Sequence, residues 1–131
     1  MTIDIVFLSA GMGTRLKPIT NNVPKALVKI KGKSILYNSV ELFRRSGFKK
    51  IFCVTGYKAN KINHKNIKQI YNKDFENTNM VHSLYLALSK LRNNKNDIII
   101  SYSDIIYSSE VLMKLVNSNY SISVITDDNW Y

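Results

Sequence analysis

Gly11-Met12-Gly13, followed by Thr14, Arg15 and Lys17 and then by Pro24-Lys25, gathers two glycines and three cations into one short stretch. Glycines let backbone N–H groups come close to oxygens, and cations supply charge, so the chemistry this pattern suits is the binding of a phosphate chain. A bare Gly-x-Gly also serves a tight turn for steric reasons alone. Two familiar phosphate loops fit poorly: the third glycine of a dinucleotide fingerprint is missing, and no Gly-Lys-Ser/Thr follows as in a P-loop. A second group is Tyr102-Ser103-Asp104, directly after Ile98-Ile99-Ile100. A carboxylate where a strand ends is placed to hold Mg²⁺ against phosphate oxygens, although an Asp there also serves as a turn or helix-capping residue.

The elements that would position these groups follow from periodicity. Ile3 to Leu8 is a continuous apolar run interrupted only by Asp4, which reads as a buried strand. Gly11 to Pro24 holds two Gly and two Pro among polar residues and reads as a long loop beyond the strand's carboxyl end, where open α/β sheets bind ligands. A short strand is expected over Ala26 to Ile30, then a turn at Lys31-Gly32-Lys33. Ser34 is expected to cap a helix whose apolar face is Ile35, Leu36, Val40, Leu42 and Phe43 and which Ser46-Gly47 closes. Lys50 to Thr55 is the next strand, completing a β-α-β unit.

Lys58 to Lys65 is polar and weakly helical, and Ile67 to Tyr71 alternates as an edge strand would. Asn77 to Asn79 opens a helix in which Met80, Val81, Leu84, Leu88 and Leu91 recur at helical spacing until Asn93-Asn94. Ile98-Ile99-Ile100 predicts a central buried strand, Ser108 or Ser109 caps a helix over Glu110 to Val116, and Tyr120 to Thr126 is expected to be a last strand. Alternating strands and helices give an α/β sandwich with a mostly parallel sheet, Rossmann-like in three layers.

At 131 residues, 45% hydrophobic and 21% charged, the chain fits one domain with one core. The net charge of +10 points to an anionic partner. Lysines are scattered, and only Arg44, Arg45, Lys49 and Lys50 cluster, so a nucleic-acid module fits less well than a small, highly charged anion such as a nucleoside triphosphate. The single cysteine, Cys53, lies in an apolar run and reads as buried packing; a disulfide framework or zinc cluster has no material. No window reaches the roughly 18 apolar residues of a membrane span, and Asp4 with the polar stretches after it argues against a secretory leader, so a cytoplasmic protein is expected.

The stretch from Leu8 to Leu27 resembles the signature loop of the sugar-phosphate nucleotidyltransferase superfamily, Leu-x-x-Gly-x-Gly-x-Arg-Leu-x-Pro-Leu-Thr-x-x-x-Pro-Lys-x-Leu. Every fixed position is matched except Ile19, where Leu is usual. The resemblance implies a nucleotide-diphospho-sugar transferase type of fold and an enzyme that joins a phosphorylated acceptor to a nucleotide with release of pyrophosphate. It implies that Leu8, Ala10, Gly11, Met12, Gly13 and Thr14 hold the nucleotide, that Arg15 clamps the β- and γ-phosphates, and that Lys25 sits between the reacting phosphates. In-line attack on the α-phosphorus brings two anions together, so positioning and charge stabilisation must do most of the work. Asp104 resembles the superfamily's Mg²⁺ ligand, with Ser103 where Gly is usual.

Asn77-Thr78-Asn79-Met80-Val81-His82-Ser83-Leu84 lacks the Gln and Pro-x-Gly-x-Ala elements of sugar-phosphate enzymes. It is similar to the phosphocholine and aminoethylphosphonate cytidylyltransferase branch. Asn79 and Ser83 are then candidates for reading cytosine and its ribose; a plain helix start would also welcome Asn. His82 reads as a solvent or partner contact, since the acceptor phosphate is already ionised. Asp128 and Trp130 resemble elements that receive a cationic head group by charge and cation–π attraction, while Trp130 could equally be a docking hydrophobe.

Family members continue well past Tyr131, so a single domain over residues 1–131 is expected to lack the C-terminal acceptor-binding part. The expected partners are CTP or another nucleoside triphosphate and a small phosphorylated or phosphonate acceptor, with Mg²⁺ as cofactor; a homo-oligomer is one way to complete the site. The alternatives are a sugar-1-phosphate transferase using UTP or dTTP, and a non-catalytic nucleotide-binding module.

Overall fold

The structure, a computed structural model, describes residues 2–129. In chain order it contains β1 (Ile3–Ser9), β2 (Lys29–Ile30), β3 (Lys33–Ser34), α1 (Ile35–Arg45), β4 (Lys50–Thr55), β5 (Lys68–Tyr71), α2 (Met80–Leu91), β6 (Asp97–Tyr102) and α3 (Ser109–Val116). Four strands form a parallel sheet in the order β5-β4-β1-β6, with Phe7 level with Cys53 on one side and Ser101 on the other. The expected three-layer α/β sandwich is present: α1 and α3 cover one face and α2 the other.

Alternation along β1 divides its side chains between the faces. Ile3, Ile5 and Phe7 meet Leu36, Val40 and Phe43 of α1, Ile51 and Cys53 of β4, and Leu112 of α3. Burial pushes the Cys53 thiol up to about 12, so it is a packing group. The Ser34 hydroxyl accepts from the Tyr37 N–H at 3.2 Å and opens α1. At the other end Gly47, at φ +96°, donates to the Arg44 carbonyl while Phe48 N–H reaches the Phe43 carbonyl at 3.0 Å. Phe48 stacks edge-on against Phe43, so this Schellman closure also adds an aromatic to the core.

The opposite face is thinner. Val6, Ala10, Val54, Ala87 and Leu91 are buried there. The buried stripe of α2 is Ser83, Ala87 and Leu91, whereas Met80, Val81 and Leu88 of the expected apolar pattern are exposed. Small residues at two of the three buried positions let the helix lie close over β1 and β4, and that closeness, rather than hydrophobicity, selects the face. At the amino end of β1, fully buried Asp4 accepts from Asn94 Nδ2 at 2.9 Å and Asn96 Nδ2 at 3.0 Å, tying the sheet to the turn that leaves α2.

Four expectations are corrected. Ala26 to Ile30 is a 3-10 turn at Lys25–Leu27 followed by two residues of strand paired with β3. Lys58 to Lys65 holds only a 3-10 turn at Ala59–Lys61. The Ile98-Ile99-Ile100 strand is a sheet edge among the described residues, leaving Ile100 46% exposed. Tyr120 to Thr126 forms no strand: its alternation is intact, but the segment pairs with no strand among the described residues, and Tyr120, Ile122 and Val124 stand exposed. A strand is stable only with hydrogen-bonded neighbours, which a local pattern cannot guarantee.

Candidate functional site

β1 and β6 run parallel, so their carboxyl ends open on the same side and carry Gly11 and Asp104 to one place. A cavity of about 250 Å³ lies there. One wall is the end of β1 and the loop after it, Leu8 to Gly11 and Gly13, with Lys25; the second is the end of β6, Tyr102 to Asp104; the third comes from the β5–α2 connection and the first turn of α2.

The loop is shaped by its glycines. Gly13 lies at φ +61°, and a Cβ there would come within 3.1 Å of Lys25 Cβ and 3.2 Å of Thr20 Cγ2. Its carbonyl accepts from the buried Thr20 hydroxyl at 2.7 Å, so Gly13 is what allows Lys25 to pass close by. Gly11 has nothing within 4 Å of a would-be Cβ and faces open space. Among the described residues the backbone N–H groups of Gly11 to Arg15 find no protein acceptor, and two of these donors, Gly11 and Gly13, belong to residues that line the cavity. Tyr57 braces the loop from outside, its hydroxyl donating to the Thr20 carbonyl at 2.8 Å and its N–H to the Ala10 carbonyl at 3.1 Å. Gly56 makes room: a Cβ on it would sit 2.5 Å from Phe75 Cβ.

Lys25 Nζ is paired with Asp104 Oδ2, joining residues far apart in sequence across the cavity mouth. Both side chains are part-exposed, so the pair can open at little cost when an anion arrives. Ser103, where a Gly was usual in the resembled family, is buried and donates to the Leu8 carbonyl at 2.9 Å, which fastens the end of β6 to β1. Asp104 is the one carboxylate among the residues lining the cavity, and no group of three or more His, Cys, Asp or Glu is arranged around a metal position among the described residues.

The cavity thus brings together Leu8, Ala10, Gly11, Gly13, Lys25, Asn79, Ser83 and Asp104 of the residues singled out from sequence. Met12, Thr14 and Arg15 do not line it; Thr14 and Arg15 lie exposed on a 3-10 turn beside it. Asp128 is exposed in an irregular segment and is not among the lining residues. Trp130 lies outside the described residues. His82 is part-exposed near Tyr85, away from the cavity.

Sequence reasoning missed Asn72 and Phe75, and gave Thr78 no role of its own within the Asn77–Leu84 motif; all three belong to the cavity's third wall. Asn72 is buried, and its carboxamide reaches Thr78 Oγ1 and Ser83 Oγ. A lone Asn after a weak edge strand gives no periodic or motif signal.

Comparison with known proteins bears on this site. The family model described as Nucleotidyl transferase matches residues 5–126. A CTP:phosphoglutamine cytidylyltransferase of Campylobacter jejuni is 33% identical over 136 residues, covering 98% of this chain and 54% of that protein. A choline-phosphate cytidylyltransferase of Streptococcus pneumoniae is 31% identical over 93 residues, covering 68% of this chain and 41% of that protein. The solved structure of a CTP:phosphocholine cytidylyltransferase from Streptococcus pneumoniae superposes with a TM-score of 0.70 at 25% identity, covering 84% of this chain and 50% of that one. The chain spans about half the length of the relatives it matches. No helix among the described residues is long and apolar enough to cross a membrane.

Proposed function

The chain belongs to the nucleotidyl transferase family, and from that premise we propose that it transfers CMP from CTP to a small phosphorylated or phosphonate acceptor in the cytoplasm, releasing pyrophosphate. The observation that carries this reading is the coincidence, on one cavity, of the Gly11 and Gly13 backbone donors, a Lys–Asp pair, and the amide and hydroxyl of Asn79 and Ser83. The donors and Lys25 suit a triphosphate; the amide and hydroxyl suit a base.

In this reading the Gly11 to Arg15 amides receive the phosphate oxygens, and Arg15 reaches from the rim to the β- and γ-phosphates. Lys25 exchanges its carboxylate partner for oxygens of the reacting phosphates and holds them against their mutual repulsion. Asp104 is the residue that would hold a magnesium ion. A single carboxylate beside a phosphate site fits that cation, which commonly takes one or two carboxylates and completes its shell with phosphate oxygens and water. When bound, the ion would neutralise phosphate charge. The relatives named for phosphoglutamine and choline phosphate support a phosphate-bearing acceptor; Asp128 and Trp130 are assigned its cationic group.

A panel of CTP, UTP, dTTP and ATP in a pyrophosphate-release assay, each with phosphocholine, aminoethylphosphonate, phosphoglutamine and glucose 1-phosphate, tests the proposal. Turnover with CTP and one of the first three acceptors is expected. A preference for UTP or dTTP with the sugar phosphate would overturn it. Calorimetric CTP binding with no product from any acceptor would instead mark a module that binds the nucleotide without turnover.

A further inference from the structure

We propose that Asn72 is a positioning residue that sets the polarity of the Ser83 hydroxyl and thereby makes the base pocket select cytosine over uracil. The inference rests on the cytidylyltransferase reading above and adds how the base would be told apart.

Asn72 follows β5 and is 2% exposed. Its N–H donates to the Thr55 carbonyl at 2.7 Å, which fixes the backbone. The orientation of its carboxamide is settled by a neighbour: Asn72 Oδ1 lies 3.1 Å from the Asp74 N–H, and a backbone N–H can only donate, so the atom facing it must be the oxygen. The amino group therefore faces the other way, where it donates to Thr78 Oγ1 at 2.9 Å and Ser83 Oγ at 3.3 Å.

The two hydroxyls end up differently. Thr78 accepts from Asn72 and donates to the Asp74 carbonyl at 2.8 Å, so its proton is taken up. Ser83 accepts from Asn72 and donates to no acceptor among the described residues; its proton is available to whatever fills the cavity it lines. Asn79 is biased the same way. Its Oδ1 accepts from the Val81 and His82 N–H groups at 3.0 and 3.2 Å, capping α2, which leaves its amino group as the outward-facing part.

The pocket therefore has two donors among its lining residues, the Ser83 hydroxyl and the Asn79 amino group. Cytosine presents two acceptors on its edge, N3 and O2. Uracil presents a donor, N3–H, between its two carbonyls, and a donor facing a donor leaves both unpaired in a confined site, so the mismatch rejects uracil. Ser83 could in principle turn and accept, but doing so would set its proton against the Asn72 amino group or leave that proton without a partner.

Asn72→Asp tests this directly. The carboxylate keeps the bond to the Asp74 N–H but now accepts from Ser83, turning the Ser83 lone pair toward the base. Calorimetric dissociation constants for CTP and UTP give a preference ratio in which any general loss of nucleotide affinity cancels. The wild-type chain is expected to favour CTP, and Asn72→Asp to lower that ratio about tenfold or more. Ser83→Ala, with no hydroxyl to orient, should also lower it; should Asn72→Asp fail to fold by circular dichroism, that variant decides, and an unchanged ratio overturns the inference. If the wild type favours CTP and a folded Asn72→Asp keeps the ratio, the role of Asn72 is overturned while the cytidylyltransferase reading stands. If the wild type binds CTP no better than UTP, both fall together.

Discussion

The two faces of the sheet differ in kind. On the α1 side Phe7, Leu36, Val40 and Phe43 are fully buried and three edge-to-face aromatic pairs converge on Phe43, so the layer is a finished core. On the α2 side the buried set is smaller, Ser83 and Ala87 occupy the contact stripe, and Ile100 and Tyr102 of β6 remain exposed. Stability is concentrated where packing is dense, and the open space needed for a ligand is found where it is not. The cavity lies on the thin side because small residues and an uncovered sheet edge leave room there.

Truncating each core measures the difference. Phe43→Ala should cost about 3–5 kcal/mol in urea unfolding, and Leu91→Ala on the thin face about 2 kcal/mol; equal costs would abolish the contrast. Function should show the reverse order. Asp104→Asn and Arg15→Ala are each expected to lower turnover by about 10²-fold or more while leaving the unfolding midpoint nearly unchanged, and retained turnover in either would remove that residue from the mechanism. Gly13→Ala should lose about 1 kcal/mol from its left-handed backbone and weaken CTP binding further, because the new Cβ presses on Lys25.

Proton linkage sharpens the same comparison at smaller amplitude. Burial holds the Cys53 thiol up at about 12 against 9.0 for its ordinary value, so the unfolded chain loses that proton first. Stability should fall as pH rises from 9 toward 12, a slope that Cys53→Ala flattens. Partial burial lowers the pKa of His64 below its usual 6.5. The unfolded chain then gains a proton first on acidification, so stability should dip slightly as pH falls through 6.5, and His64→Gln should remove the dip. Smallest of all, Ile122→Ser, at a position 87% exposed, should shift stability by no more than about 0.5 kcal/mol; a larger loss would show that the 120–126 segment is packed in solution.

Most of the scaffold was legible in the sequence. Apolar runs located β1 and β4, and Ser34 with Gly47 bounded α1, because caps and turns depend on atoms a few residues apart. The β6 run was recognised as a strand, but among the described residues it lies at the sheet edge and not at its centre, since hydrophobicity reports a capacity for burial and not whether a neighbour exists. The same reasoning failed for Tyr120 to Thr126. In α2 the periodicity identified the helix while the buried face turned out to be the small residues, which a scale of hydrophobicity undervalues.

For the site, the amino-acid sequence alone determined the glycine loop, its cations, the carboxylate after Ile98-Ile99-Ile100 and the Asn79 cap: residue types whose conformation and charge are decided within one turn of chain. Only the tertiary structure decided that Lys25 meets Asp104 across 79 residues and that the Asp74 N–H orients the Asn72 amide toward Ser83. Hydrogen bonds are directional over about 3 Å, and which groups come within that distance is set by how strands align and helices pack, not by their order along the chain.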